Sequence, residues 1–163
     1  MAHAILRGDW SAPMKLSNKG RYGLRAIFDI AFHNQGRATQ IREIAERQDI
    51  PARFLEQIFQ DLKRAGLVSS KRGPRGGYQL SKAPAEIRVG DILRALEGSI
   101  ELRGDDAVKT GDETSRVITN DVLDEIAQRM EAAWNDFTIE ALCERGEALG
   151  QRHHPAGRYV YVI

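Results

Sequence analysis

The 163 residues are 42% hydrophobic and 29% charged, and no apolar run approaches the roughly 18–20 residues that span a bilayer, which excludes a helical membrane protein. One cysteine, Cys143, excludes an internal disulfide framework and a cysteine zinc site. The net charge of +1 divides into 14 Lys/Arg against 6 Asp/Glu over residues 14–82 and 10 against 17 elsewhere; the basic part suits a polyanion-binding face, although a solvated basic surface fits the charge alone equally well.

Residues 1–13 match no periodicity and are predicted to be a flexible extension. They contain no signal-like apolar core, and Asp9 interrupts them, so a cytoplasmic protein is expected; Met14 begins a stretch that reads like a natural start. From Asn18 the pattern is helical, with Tyr22, Ala26, Ile27, Ile30 and Ala31 on one face and an end near Gly36. Thr39 reads as the N-cap of a short second helix with Ile41, Ile44 and Ala45 inward, ending before Ile50-Pro51. Pro51 suits the first turn of a third helix, in which Phe54, Leu55, Ile58, Phe59 and Leu62 form an apolar arc. Opposite that arc lie Arg53, Gln57, Gln60 and Arg64, with Glu56 on the flank and Gly66 as the stop.

Two β-like runs, Leu67–Arg72 and Tyr78–Leu80, then flank Gly73-Pro-Arg-Gly-Gly77 and predict a hairpin. Helix, helix, helix, hairpin is the order of a winged helix-turn-helix. A fourth helix is expected over 90–96, a mobile loop over 99–116, and a long helix over 119–136. Val122, Ile126, Met130, Ala133 and Phe137 give that long helix one apolar stripe, which fits an intramolecular core or, preferably, a dimer partner. A shorter helix over 139–148 should pack back, and the tail 149–163 ends in a strand-like Tyr-Val-Tyr-Val-Ile. The expected organisation is therefore an extension (1–13), a DNA-binding domain (14–98), a loop (99–116), dimerisation helices (117–148) and a tail (149–163). The fold class is mainly α with a small β-hairpin wing.

These residue types suit DNA. Arg53 matches the N7 and O6 of guanine, Gln57 matches adenine, Glu56 accepts from cytosine N4, and Gln60 continues the same face. An ordinary surface helix also has a polar back, so this helix alone decides little. The hairpin adds weight: Lys71, Arg72, Gly73 and Arg75 form a basic, glycine-rich tip suited to a narrow minor groove. Lys15, Lys19 and Arg21 are candidate phosphate contacts, which position without specifying. A protein-interaction module that keeps a winged fold and senses a partner protein or metabolite is the competing reading. No Walker loop, dinucleotide fingerprint, Gly-x-Ser-x-Gly elbow or paired-histidine motif points to an enzyme.

Three stretches resemble the Rrf2 family of bacterial winged-helix transcription regulators: Met14–Gly23, Phe54-Leu-Glu-Gln-Ile58, and Leu67–Leu80 with its Arg-Gly-Pro-x-Gly-Gly-Tyr wing. The resemblance is close over 14–98 and traceable through Thr138–Leu142 to about residue 145. It implies a homodimer on a partly palindromic operator, with repression as the expected outcome and double-stranded DNA and a second copy as partners. The long helix would cross its mate, Glu56 and Gln57 would read bases, and Arg72, Gly73 and Arg75 would form the wing. Many members hold an iron–sulfur cluster through three cysteines in the loop after the fourth helix. Here that loop, Ser99–Arg116, has none, and Asn120 stands at the position of a ligand histidine, so no thiolate-ligated cluster and no other metal or cofactor is expected. Cys143 reads as a small buried apolar residue and His153-His154 as a polar pair. Cluster-free relatives respond to an effector metabolite or a partner protein, which implies the same kind of signal here by analogy.

Overall fold

The computed structural model describes residues 15–103 and 112–151. The extension 1–13, the His153-His154 pair, the terminal Tyr-Val-Tyr-Val-Ile and residues 104–111 of the loop expected over 99–116 lie outside the described residues. Two blocks result, a winged head and a helical arm.

The head is built around α1 (Asn18–Asn34), which is capped by the Ser17 hydroxyl and closed by Gln35 in a left-handed conformation. Its apolar face is broader than the stripe seen in sequence, since Phe32 is buried together with Ala26, Ile27, Ile30 and Ala31. α2 (Ile41–Gln48) and α3 (Ala52–Arg64) pack against it. In α3, Leu55, Ile58, Phe59 and Leu62 are all fully buried, as the sequence arc requires, while Phe54 is half-buried and meets Tyr22 edge-on at 5.7 Å. Each such side chain removed from water contributes on the order of 1.5–3 kcal/mol. The hairpin follows as β1 (Val68–Lys71) and β2 (Gly77–Leu80), antiparallel with Val68 opposite Leu80 and Lys71 opposite Gly77. A short 3-10 turn (Pro84–Glu86) leads into α4 (Val89–Glu97), which ends at Gly98.

The arm consists of α5 (Glu113–Asn135) and α6 (Ile139–Ala148). Ile139 enters the head's own core, fully buried, and Gly146 lies against Phe32. A short antiparallel stitch joins the arm to the head: Val89 N donates to Phe137 O and Ile139 N donates to Ile87 O, each at 2.9 Å, around the Arg88–Thr138 pair. The arm is therefore not a free lever.

Two sequence expectations need correction. Thr39 is not an N-cap; Gln40 occupies that position without a side-chain cap bond, and Thr39 is buried with its backbone paired to Tyr78. The long helix starts at Glu113 rather than Thr119, so residues 113–116 belong to α5 and not to a loop. Asp112 is the cause: its carboxylate accepts from Thr114 N at 3.2 Å and Ser115 N at 3.0 Å, satisfying N–H groups that a helix start leaves orphaned. These bonds, with that of the Ser115 hydroxyl first among them, hold the Asp112 carboxyl below its ordinary value.

Candidate nucleic-acid interface

Burying one face of α3 against α1, α2 and α4 turns the opposite face outward. Arg53, Glu56, Gln57 and Gln60 are all exposed on it, on a rod whose underside cannot rotate without breaking the core. Lys71 closes β1, and Arg72, Gly73 and Arg75 are exposed in the turn that follows. The turn needs its last two glycines for a steric reason. A side chain on Gly76 would stand 2.3 Å from the Lys71 carbonyl oxygen, and one on Gly77, at φ +143°, 2.2 Å from that of Thr39. Lys63 Nζ donates to Ser70 Oγ at 2.8 Å and Gln40 Nε2 to Pro74 O at 3.4 Å, tying the wing to the helices on either side of the turn between them.

The predicted phosphate contacts differ among themselves. Lys15 is exposed just before α1. Arg21 donates to Asn18 Oδ1 at 2.6 Å. Lys19 is half-buried and already holds a carboxylate, Asp61 of α3, at 2.7 Å. Asp61 also takes Arg64 at 2.5 Å, and the hydrogen bond from Lys19, followed by the two nearby positive charges, keeps its carboxyl below the ordinary range. The start of α1 is thereby fastened to α3. It is fastened a second time through Glu97, the last residue of α4, whose Oε1 accepts from Gly20 N at 2.8 Å and from the Ser17 hydroxyl. Neither Asp61 nor Glu97 was legible as part of the interface, because their partners lie far away in sequence.

The head's other cations differ in how they are held. Arg47 makes a two-point bond to the fully buried Asp29, with Nη2 to Oδ1 at 2.6 Å, and Gln48 supplies another donor at 2.8 Å. Arg42 pairs with Glu46 at 2.9 Å. Arg53, Lys71, Arg72 and Arg75 make no ion pair among the described residues. Arg47 is thus neutralised within the head, while Arg53 at the start of α3 and the cations at the tip of the wing direct their charge to solvent.

The residues expected to mediate dimerisation lie apart from this face. Val122 is 48%, Ile126 43% and Phe137 39% exposed, with Ala133 exposed and Met130 half-buried between them. Ile118, 59% exposed, extends the stripe by one turn. Ala127 is buried on the other side of α5, where α4 packs. Among the described residues no group of three His, Cys, Asp or Glu side chains is placed to hold a metal ion, and no helix is long and apolar enough to cross a membrane.

Comparison with known proteins places these features in context. Residues 16–145 match the family model Rrf2, described as an iron-dependent transcriptional regulator. The chain is 35% identical over 136 residues to the HTH-type transcriptional regulator IscR of Vibrio atlanticus, covering 83% of this chain and 79% of the relative. Among solved structures it resembles IscR of T. potens with a TM-score of 0.68 and 33% identity, covering 86% of this chain and 94% of that one. It also resembles CymR, the global cysteine regulator of B. subtilis, with a TM-score of 0.64 and 32% identity, covering 82% and 98%.

Proposed function

The chain belongs to the Rrf2 family of transcription regulators, and from that membership we infer how it acts: as a homodimer whose two winged heads read the half-sites of a partly palindromic operator and repress the genes beside it. It is a DNA-binding regulator of a family that is not one of enzymes. In this reading Arg53, Glu56, Gln57 and Gln60 face base edges, Lys71, Arg72, Gly73 and Arg75 follow the minor groove, and Lys15 and Arg21 touch phosphates with Lys19 beside them. The observation that carries it is the cluster of exposed cations on α3 and at the tip of the wing. Among the described residues Arg53 and the wing cations have no carboxylate to give up before meeting a phosphate or a guanine, so none of those pairs has to break on binding.

Dimerisation is supported by the α5 stripe, which a single copy leaves in water. Apolar rows of this size on a long helix are covered by another helix, and a second α5 meets the requirement with the same residues on both sides of a twofold axis. We place the protein in the cytoplasm, with its DNA.

A thiolate-ligated iron–sulfur cluster does not fit this donor set. The segment 99–116 contains neither cysteine nor histidine. Cys143 sits half-buried on α6, where burial first, and then the charges of Glu147, Glu140 and Glu144, push its thiol up to about 11. A thiol held protonated is a poor ligand. The signal is then of another kind, an effector metabolite or a partner protein. We place the receiver in the segment after α4: Ile100 N donates to Glu131 Oε1 at 3.3 Å and Arg103 pairs with Asp124, so its start already lies along the arm.

The test is binding of the purified protein to random-sequence duplex in dilute buffer, followed through a salt titration. Affinity that falls steeply with salt is expected, as when several phosphates are neutralised. Indifference to every duplex would overturn the reading.

A further inference from the structure

The wing has only four paired residues on each strand, a unit that is marginal on its own in water. Its orientation therefore depends on what holds it from outside. Lys63 and Gln40 reach it through exposed side chains, whose bonds compete with water. The inner side is held more firmly. Thr39 and Tyr78 exchange both backbone hydrogen bonds, N to O in each direction at 2.8 Å, and Leu80 N donates to Gly36 O at 3.0 Å. The Tyr78 ring stacks on Phe59 with centroids 4.6 Å apart and planes 23° from parallel. Phe59 lies on the buried face of α3, directly behind the reading residues. Tyr78 is thus the point where wing, reading helix and the turn between α1 and α2 meet.

What fixes Thr39 is a buried side-chain pair. Its residue is 1% exposed, and its hydroxyl accepts from Asn34 Nδ2 at 2.6 Å while donating to the Arg37 carbonyl at 3.1 Å. Asn34, the last residue of α1, is itself 9% exposed. Both directions of the hydroxyl are therefore used, and together they close the turn so that Thr39 presents its backbone in extended form to Tyr78. An isosteric residue without the hydroxyl removes a buried hydrogen bond between Asn34 and Thr39, a larger loss than that of an exposed one. The reading helix does not share this dependence, because Leu55, Ile58, Phe59 and Leu62 hold it to the core directly.

We propose that the buried Asn34–Thr39 pair is a positioning device that sets the wing against the reading helix, so that two residues remote from DNA govern whether Arg72 and Arg75 reach the groove. The proposal rests on the DNA-reading function inferred above. A pair with a merely structural role would loosen the whole head; one acting through the wing loses its effect once the wing arginines are gone.

A double-mutant cycle separates the two. The probe is a duplex enriched from a random pool by the parent protein, and binding is measured at a temperature where circular dichroism shows every variant folded. Thr39→Val and Asn34→Ala are each made in the parent and in an Arg72→Ala/Arg75→Ala background, so that either carries the test if the other does not fold. Each should weaken binding about tenfold in the parent and no more than about twofold in the wing-less background, with Thr39→Ser within about twofold of the parent. Losses that multiply fully in the wing-less background would overturn the proposal, as would undiminished binding by both variants. A parent protein that enriches no duplex overturns the DNA-reading inference itself and this proposal with it.

Discussion

Lys19 at the start of α1 and Asp61 on α3 face each other at 2.7 Å, so a residue that sequence assigns to phosphate binding is also a strut of the head. Both roles leave measurable traces. A cation that must leave a carboxylate to reach a phosphate changes less in charge environment than one that starts free, so Lys19→Ala should lower the slope of log affinity against log salt by clearly less than the roughly 0.9 per phosphate expected of Arg75→Ala. Binding to all duplexes should weaken alike. In the same variant the Asp61 carboxyl, now without its main hydrogen bond, should titrate closer to its ordinary value, followed by carboxyl NMR. The sign for stability follows. Asp61 is held low in the folded protein, so its contribution is in place above the ordinary carboxylate range and is lost as pH falls through the depressed value. Acid unfolding of Lys19→Ala should therefore depend less steeply on pH there. An Asp61 titration that does not move would mean that the pair is not formed in solution.

The proposed function assigns specificity to the outer face of α3. Arg53→Ala and Gln57→Ala should each relax preference at one or two positions of the selected site, by about 1–3 kcal/mol of discrimination per lost two-point base contact, while leaving affinity for random duplex nearly unchanged. Competition among single-base variants of the selected site measures this directly. A uniform loss across all competitors would move these residues from the reading group to the phosphate group.

The reading helix was legible in sequence because everything that defines it is local: Leu55, Ile58, Phe59 and Leu62 repeat on one arc, and Arg53, Glu56, Gln57 and Gln60 are outward by the same geometry. Thr39 was not, since hydroxyl residues before an apolar run favour N-caps and only the returning chain at Tyr78 decides otherwise. The start of α5 was missed for a related reason. The run from Asp112 to Arg116 is polar and shows no apolar stripe, yet the Asp112 cap makes it helical. The Glu97 contact to Gly20 and the Lys19–Asp61 pair depend on tertiary placement alone.

The apolar row of α5 gives a third prediction. Ile126 is 43% exposed, so replacing it with Asp costs the isolated protomer little, whereas in a twofold interface it buries two carboxylates close together without partners. Ile126→Asp should lower the mass seen by analytical ultracentrifugation to that of one chain and weaken binding to a two-half-site duplex far more than to a single half-site. Dimers that persist, with full operator affinity, would assign the stripe to some other contact.

Cys143 separates a packing residue from a redox sensor. Its thiol is pushed up to about 11, first by burial and then by Glu147, Glu140 and Glu144, so near neutral pH almost none is thiolate, the form that reacts with oxidants, alkylating agents and iron. Alkylation by iodoacetamide should be slow at pH 7 and rise roughly tenfold per pH unit until the thiol titrates, rather than levelling off near the pH 8.5 of a free cysteine. Cys143→Ala should bind the selected duplex as the parent does, with or without peroxide treatment. Protein purified without air should show no visible band of the sulfur-to-iron charge-transfer kind that thiolate-ligated clusters carry. A fast, pH-independent alkylation above pH 8, or a peroxide effect that vanishes in Cys143→Ala, would instead make this residue the sensor, and the glutamates around it would then need a cation to offset them.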